Sequence, residues 1–123
     1  MDEMNSQASG SAAILHQLMA VIEDRRDHPP EKSYTTKLFQ GGIPKIAEKI
    51  LEESHEVIEA AGEPGEEGRV HTIKEAADVT FHLMVLLGLR GVHWREVEEE
   101  LGRRFGVSGI DEKASRPGAA KSE

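Results

Sequence analysis

The chain of 123 residues has no cysteine, few aromatic residues and no long apolar run. Without cysteine it can form neither disulfides nor thiolate metal sites, and nothing favours a secreted protein. The longest apolar run, residues 83–89, is far shorter than the roughly 20 residues that span a bilayer. The polar first residues predict no signal peptide. We therefore expect a soluble, cytoplasmic protein that does not act at a membrane.

Acidic residues outnumber basic residues: the chain has 23 Asp and Glu and 15 Lys and Arg, which gives a net charge of −8. This negative field disfavours nonspecific binding of nucleic acid. A chain of this length with 37% apolar residues predicts one compact domain. The predicted organisation is a flexible N-terminal tail over residues 1–11, an all-α domain over residues 12–106, and a C-terminal loop and tail over residues 107–123.

Apolar periodicity predicts helices at residues 12–26, 44–61, 69–90 and about 93–105, and no convincing strand. A polar segment and the Gly41-Gly42 break precede the second helix. The second half of the third helix is apolar on nearly all sides, and more than one neighbour must cover such a helix. The fourth helix should face inward with Trp94, Val97, Leu101 and Phe105. The fold class is therefore all-α, a four-to-five-helix bundle with antiparallel central helices and a homodimeric core.

Two pairs of acidic residues are the main chemical signal: Glu53 with Glu56, and Glu75 with Asp78. The i, i+3 spacing turns both carboxylates of a pair to the same side of a helix. The loop between the pairs contains glycine and proline, so it can fold the two helices against each other. Four clustered carboxylates repel unless a hard cation holds them, and an all-oxygen site suits Mg²⁺, with Mn²⁺ possible. The sequence therefore predicts a metal site.

The helical phase strengthens this interpretation for Glu53, which lies in the middle of an apolar stripe. That stripe consists of Ile46, Ile50, Val57 and Ala61. An unpaired buried carboxylate costs several kcal/mol, so Glu53 must be protonated, paired or bound to metal. His82 lies one turn beyond Asp78, and we interpret it as a hydrogen-bonded core residue that orients Asp78 rather than as a metal ligand.

Four blocks of residues together resemble the phosphoribosyl-ATP pyrophosphohydrolase family of the all-α nucleoside-triphosphate pyrophosphohydrolase superfamily. The blocks are Ser33-Tyr34-Thr35 with Lys37-Leu38; Gly41-Gly42 with Lys45, Lys49, Glu52, Glu53 and Glu56; residues 75–78 with Phe81-His82-Leu83; and residues 108–116. The acidic blocks alone specify only the superfamily, whereas the first and last blocks point to the family. His55, Thr80 and His93 depart from its pattern, but none of them is a presumed ligand.

The resemblance implies Mg²⁺-dependent hydrolysis of phosphoribosyl-ATP to phosphoribosyl-AMP and pyrophosphate, the second step of histidine biosynthesis. It implies that the four carboxylates bind the cation and that Glu52 orients or deprotonates the attacking water. Residues that would bind the substrate are Ser33, Tyr34, Lys37, Lys45 and Lys49, together with Lys113 and Arg116 of a C-terminal substrate-binding loop. The superfamily is also built on dimers or higher assemblies.

Two alternatives remain open at this point. A house-cleaning hydrolase of dNTPs or modified nucleotides would share the acidic core but would not need residues 108–116. A non-enzymatic helical dimerisation module would carry the acidic residues only as surface charge, and the position of Glu53 in an apolar stripe counts against it.

Overall fold

The computed structural model describes residues 2–106 of the chain, and it describes side chains over residues 13–106. Four helices form in this range, α1 (Asp2–Asp27), α2 (Tyr34–Ala61), α3 (Gly65–Arg90) and α4 (Trp94–Phe105), and residues 2–106 contain no strand. The all-α prediction is confirmed. The chain divides into two compact units between Val92 and His93, so α4 is a unit separate from α1–α3.

The core of the first unit lies where α2 and α3 run antiparallel, joined by the turn at Gly62 to Pro64, with α1 packed on both. Fully buried apolar side chains come from all three helices: Met19, Ile22, Leu38, Ile46, Ala60, Met84 and Val85. Complete burial of a Met, Ile, Leu or Val side chain contributes about 1.5–3 kcal/mol to the stability of the fold. The predicted antiparallel arrangement of the central helices is therefore present.

A kink at Gly42 divides α2 into two helical parts. Gly42 has φ 72° and ψ −166°, a conformation that a residue with a Cβ atom rarely adopts, and Pro44 opens the second part. The predicted break is therefore correct, but the residues before it are helical rather than a polar loop. Ser33 explains this correction, because its side chain accepts a hydrogen bond from the Thr36 amide and caps the helix.

The other helix ends differ from the predictions mainly at their starts. α1 begins at Asp2 rather than at residue 12, so the segment predicted as a tail is helical. α3 begins at Gly65 rather than at residue 69, with acidic residues in its first turn that complement the helix dipole. Its C-terminus is as predicted, because Gly91 has φ 81° and ends the helix in a left-handed conformation.

α4 is held at its N-terminus by His93, which accepts a hydrogen bond from the Arg95 amide while Glu96 accepts one from the His93 amide. None of the α4 residues is buried and Leu101 and Phe105 are exposed, and the predicted inward face of this helix stays a prediction. An amphipathic stripe shows which side chains share a face, and it does not show that another surface covers them. No helix within residues 2–106 has the length and apolar character needed to cross a bilayer.

The close approach of α1 to α3 at Gly88 gives a testable prediction. A Cβ atom at Gly88 would lie 3.2 Å from Ile22 Cγ2 and 3.5 Å from Met19 Cε, so the two γ-methyl groups of valine have no room. Gly88→Val should lower the free energy of unfolding by about 1–3 kcal/mol through overpacking. The matched control is Gly102→Val in α4, where a Cβ atom meets nothing within 4 Å. Equal thermal unfolding midpoints for the two variants would contradict this packing.

Candidate active site

One face of α3 carries four side chains that can bind protons or metals. His71, Glu75, Asp78 and His82 follow one another at spacings of four, three and four residues, so they lie on one side of the helix. This face meets α2, since Glu53 contacts His82 and the Glu56 carboxylate acts on that of Glu75. The structure therefore places both predicted carboxylate pairs along one interface.

Glu53 lies between the two helices with its side chain only 14% exposed. Its Oε1 atom is 2.6 Å from His82 Nδ1, and that nitrogen is also 3.0 Å from the Asp78 carbonyl oxygen. The histidine thus provides the partner that a half-buried carboxylate requires. The interpretation of His82 as a hydrogen-bonded core residue agrees with this geometry, but its side-chain partner is Glu53, and only the main chain of Asp78 contacts it.

Glu56 and Glu75 form the second group, in which two carboxylates face each other. A side-chain hydrogen bond with Glu75 and repulsion from its charge raise the pKa of Glu56. Such a bond needs a proton on one of the two carboxyl groups, and when both are ionised the buried Glu75 Oε1 atom has no hydrogen-bond partner. The two carboxylates of this pair therefore repel each other when both are ionised.

His71 contacts this second group from α3. Its Nε2 atom is 3.4 Å from Glu75 Oε2 and its Nδ1 atom is 2.9 Å from Glu63 Oε1. The hydrogen bond to Glu63 is the main reason why the pKa of His71 is raised. His71 was not among the predicted site residues, although its place four residues before Glu75 on the same face of the helix is a signal that the sequence contains.

The residues present fit a hard divalent cation. Across residues 13–106 no three carboxylate or imidazole groups already stand close enough together to hold a metal ion. Of the predicted ligands, Glu56 interacts with Glu75, and Glu53 contacts His82. Glu75, however, has a buried oxygen without a partner, and the side-chain hydrogen bond with Glu75, together with the negative charge of that residue, raises the pKa of Glu56. An all-oxygen donor set with excess negative charge is what Mg²⁺ or Mn²⁺ binds. The ligand assignment stays a prediction.

The predicted substrate-binding residues in the described range lie on α2 or cap it. Ser33 caps the helix, Tyr34 donates or accepts a hydrogen bond with His82, and Lys37 is exposed one turn later. The Tyr34 hydroxyl lies 2.8 Å from the buried His82 Nε2 although the residue is 48% exposed, and partial burial raises the pKa of Tyr34. Lys113 and Arg116 lie outside the described residues.

The predicted cationic residues lie one and two turns before the acidic cluster, beyond the kink. Lys45 Nζ is 3.7 Å from Glu48 Oε1, and Lys49 Nζ is 3.8 Å from Glu52 Oε1. Glu52, the candidate to orient a water molecule, is exposed and thus accessible to one. Exposed ion pairs of this kind contribute about 0–1 kcal/mol, so an anionic substrate can replace the glutamate in either pair at little cost.

The raised pKa of Glu56 gives a prediction for the metal-free protein. A carboxyl group with a higher pKa in the folded state stabilises that state at low pH, and this contribution is lost as the pH rises through the folded-state pKa. Glu56→Gln should therefore raise the unfolding temperature in EDTA at pH 7 to 8 relative to the parent, with a smaller difference near pH 4. The control is Glu99→Gln, which removes the same charge from an exposed glutamate of α4. A pH-independent difference would contradict the coupling of Glu56 to Glu75.

Comparison with known proteins identifies the family. Residues 15–105 match the family described as Phosphoribosyl-ATP pyrophosphohydrolase. The chain is 53% identical to the phosphoribosyl-ATP pyrophosphatase of Rhodopirellula baltica over 103 residues, which cover 84% of this chain and 86% of that protein. It is 48% identical to that of Dechloromonas aromatica and 45% identical to that of Methylococcus capsulatus, over 84% of this chain and 93% and 95% of those proteins. The chain belongs to the phosphoribosyl-ATP pyrophosphohydrolase family.

Proposed function

We propose that this chain hydrolyses phosphoribosyl-ATP to phosphoribosyl-AMP and pyrophosphate, the histidine-biosynthesis step that the sequence resemblance implies. Membership of the family over residues 15–105 is the observation that carries the proposal. The interface between α2 and α3 supports it, because it gathers carboxylates where a cation-bound triphosphate can bind. A cytoplasmic location belongs to the same proposal.

Four carboxylates would hold the cation, those of Glu53, Glu56, Glu75 and Asp78. When bound, Mg²⁺ neutralises charge on the triphosphate and makes a water molecule more acidic. The protein's own contribution is to orient these groups: His82 holds Glu53 at 2.6 Å, and His71 lies 3.4 Å from Glu75. The buried Glu75 oxygen without a partner is the atom that most needs such a positive charge.

The remaining predicted residues have roles that agree with their positions. Glu52 would orient or deprotonate the attacking water, since it is exposed and next to the half-buried Glu53. Lys45 and Lys49 would contact phosphate oxygens in place of their present glutamate partners. Lys113 and Arg116 remain candidates for substrate capture from the C-terminal segment.

Purified protein assayed for pyrophosphate release from phosphoribosyl-ATP, dCTP and dUTP with Mg²⁺ distinguishes the candidate functions. Selective hydrolysis of phosphoribosyl-ATP is expected. Preference for dCTP or dUTP would instead favour a house-cleaning hydrolase of the same superfamily. No release from any of the three would favour a binding or dimerisation module.

The metal assignment predicts that Asp78→Asn and Glu53→Gln lose Mg²⁺-dependent activity while the helical circular dichroism signal is kept. A cation in such a site supplies several kcal/mol of transition-state stabilisation, so kcat/KM should fall by more than about 100-fold. Asp24→Asn is the matched control, because Asp24 is an exposed carboxylate of α1. Near-normal activity in either site variant would remove that residue from the ligand set.

A homodimer belongs to the same proposal, because one chain leaves large apolar side chains uncovered. Leu51 and Ile58 of α2 are both 71% exposed, and Ile73 of α3 is 54% exposed. Elsewhere Ile43, Leu86, Leu87, Leu89 and Arg90 line a groove of about 490 Å³. A second copy would cover such surfaces by the commonest oligomer symmetry. The uncovered residues lie on both α2 and α3, and within the apolar part of the third helix that the sequence pattern indicated, Met84 and Val85 are already buried.

Light scattering should give about twice the chain mass of 13.5 kDa. Leu51→Arg should reduce this to one chain while the helical signal is kept, because Leu51 is too exposed to contribute to the core of one subunit. Leu51→Met, which keeps the surface apolar, should remain dimeric. A parent protein that is monomeric and active at micromolar concentration would contradict the homodimer.

A further inference from the structure

His82 makes three contacts that join separate parts of the first unit. Nδ1 is 2.6 Å from Glu53 Oε1 and 3.0 Å from the Asp78 carbonyl oxygen, while Nε2 is 2.8 Å from the Tyr34 hydroxyl. The residue is 4% exposed, so these contacts satisfy both nitrogens without solvent. One imidazole thus connects the start of α2 with a carboxylate 19 residues later in the same helix.

The contacts assign the hydrogen atoms. A glutamate oxygen and a main-chain carbonyl oxygen both accept hydrogen bonds, so His82 Nδ1 must carry a proton. In the neutral ring Nε2 is then an acceptor, and the Tyr34 hydroxyl donates to it. The chain of donors runs in one direction, from Tyr34 through His82 to Glu53, and polarisation along such a chain strengthens its members.

Tyr34 is fixed in place by more than this hydrogen bond. Its ring lies 6.3 Å from that of Phe81 with an angle of 24° between the planes, a stacked arrangement. It is the first residue of α2, and Gly42 interrupts the regular helix between Tyr34 and Glu53. The backbone through the kink therefore does not fix the position of Tyr34 relative to Glu53. The hydrogen bonds of both residues to His82 do fix it.

We propose that His82 is a positioning residue that couples the first turn of α2 to the Glu53 carboxylate, so that the Tyr34 hydroxyl helps to set the affinity of the acidic site for a divalent cation. The inference rests on the proposed function in that Glu53 is taken as a cation ligand. Tyr34 would act on the cation without contacting it. Because the His82 imidazole contacts both Tyr34 and Glu53, binding of substrate at the first turn of α2 and binding of a cation at Glu53 would each affect the affinity of the other.

His71 provides an internal comparison. It holds Glu75, the other half-buried carboxylate, with Nε2 3.4 Å from Oε2, but its second nitrogen contacts Glu63 in the turn between the helices. It therefore orients a candidate ligand without any link to Tyr34. A general loosening of the site should follow from changing either histidine, whereas coupling to Tyr34 should be specific to His82.

The test measures the dissociation constant of Mn²⁺, without substrate, by titration calorimetry of the full chain. Tyr34→Phe removes one hydroxyl and should weaken binding by about 2- to 10-fold. His82→Asn can place an amide donor near the position of Nδ1 but cannot reach Tyr34, so it should weaken binding by a similar factor. His82→Ala, which also loses the donor to Glu53, should weaken binding by about 10- to 100-fold.

A double-mutant cycle then separates coupling from general damage. Adding Tyr34→Phe to His82→Asn should cause no further loss, because both changes break the same link. Adding Tyr34→Phe to His71→Asn should multiply the two individual losses. If Tyr34→Phe binds Mn²⁺ as the parent does, or if its effect multiplies with that of His82→Asn, the coupling through His82 is wrong.

A second measurement does not depend on metal or on the stability of the His82 variants. In the metal-free protein, ¹⁵N spectra of the imidazoles should show His82 protonated at Nδ1, and Tyr34→Phe should shift its Nε2 signal while leaving that of His71 in place. An unchanged His82 signal would overturn the proposal. If Tyr34→Phe shifts the His82 signal but the parent protein does not bind Mn²⁺, the result would instead contradict the proposed metal site. The experiment thus distinguishes a failure of the coupling from a failure of the metal site.

Discussion

The hydrogen bond between the Glu53 carboxylate and the His82 imidazole is the interaction on which the rest of the site depends. It lies inside the antiparallel contact of α2 and α3, with both side chains at most 14% exposed. An unpartnered carboxylate there would cost several kcal/mol, and the two helices could then not meet along this face. The histidine allows the acidic residue to remain in the interface, and Ile46, Met84 and Val85 of the same two helices are fully buried.

The second carboxylate group, Glu56 with Glu75, differs from Glu53 because no cationic side chain among the described residues fully balances its negative charge. His71 contacts Glu75 on one side, yet the other Glu75 oxygen is buried without a partner. The pKa of Glu56 is raised by its hydrogen bond with Glu75 and by the negative charge of that residue. A protein of net charge −8 that binds a polyphosphate faces the same imbalance on a larger scale. Under the proposed function, a divalent cation held by these carboxylates would offset both imbalances, and this would allow an acidic chain to bind an anionic substrate.

The sequence predicts those features that local residue chemistry determines. The kink at Gly42, the left-handed end at Gly91 and the approach of the two acidic pairs all follow from glycine conformations and helical spacing. The helical turns before Gly42 were missed, because their stability comes from the Ser33 cap and from tertiary burial of Leu38 rather than from an apolar pattern. The hydrogen-bond partner of a buried histidine depends on how far the two helices are displaced along each other. The apolar periodicity of a single helix does not predict that displacement.

The four predicted ligands thus differ in how firmly the fold holds them. Glu53 and Glu75 are about 15% exposed and each contacts a histidine, whereas Glu56 and Asp78 are exposed. Each helix contributes one held and one exposed carboxylate, because the two members of a pair share one side of the helix but only one of them contacts a histidine. Held groups fix the location of a bound cation at little entropic cost, while exposed groups can turn toward it when it arrives. This division follows from the helix geometry itself, and it allows a site made only of negative charges to exist in a folded, metal-free chain.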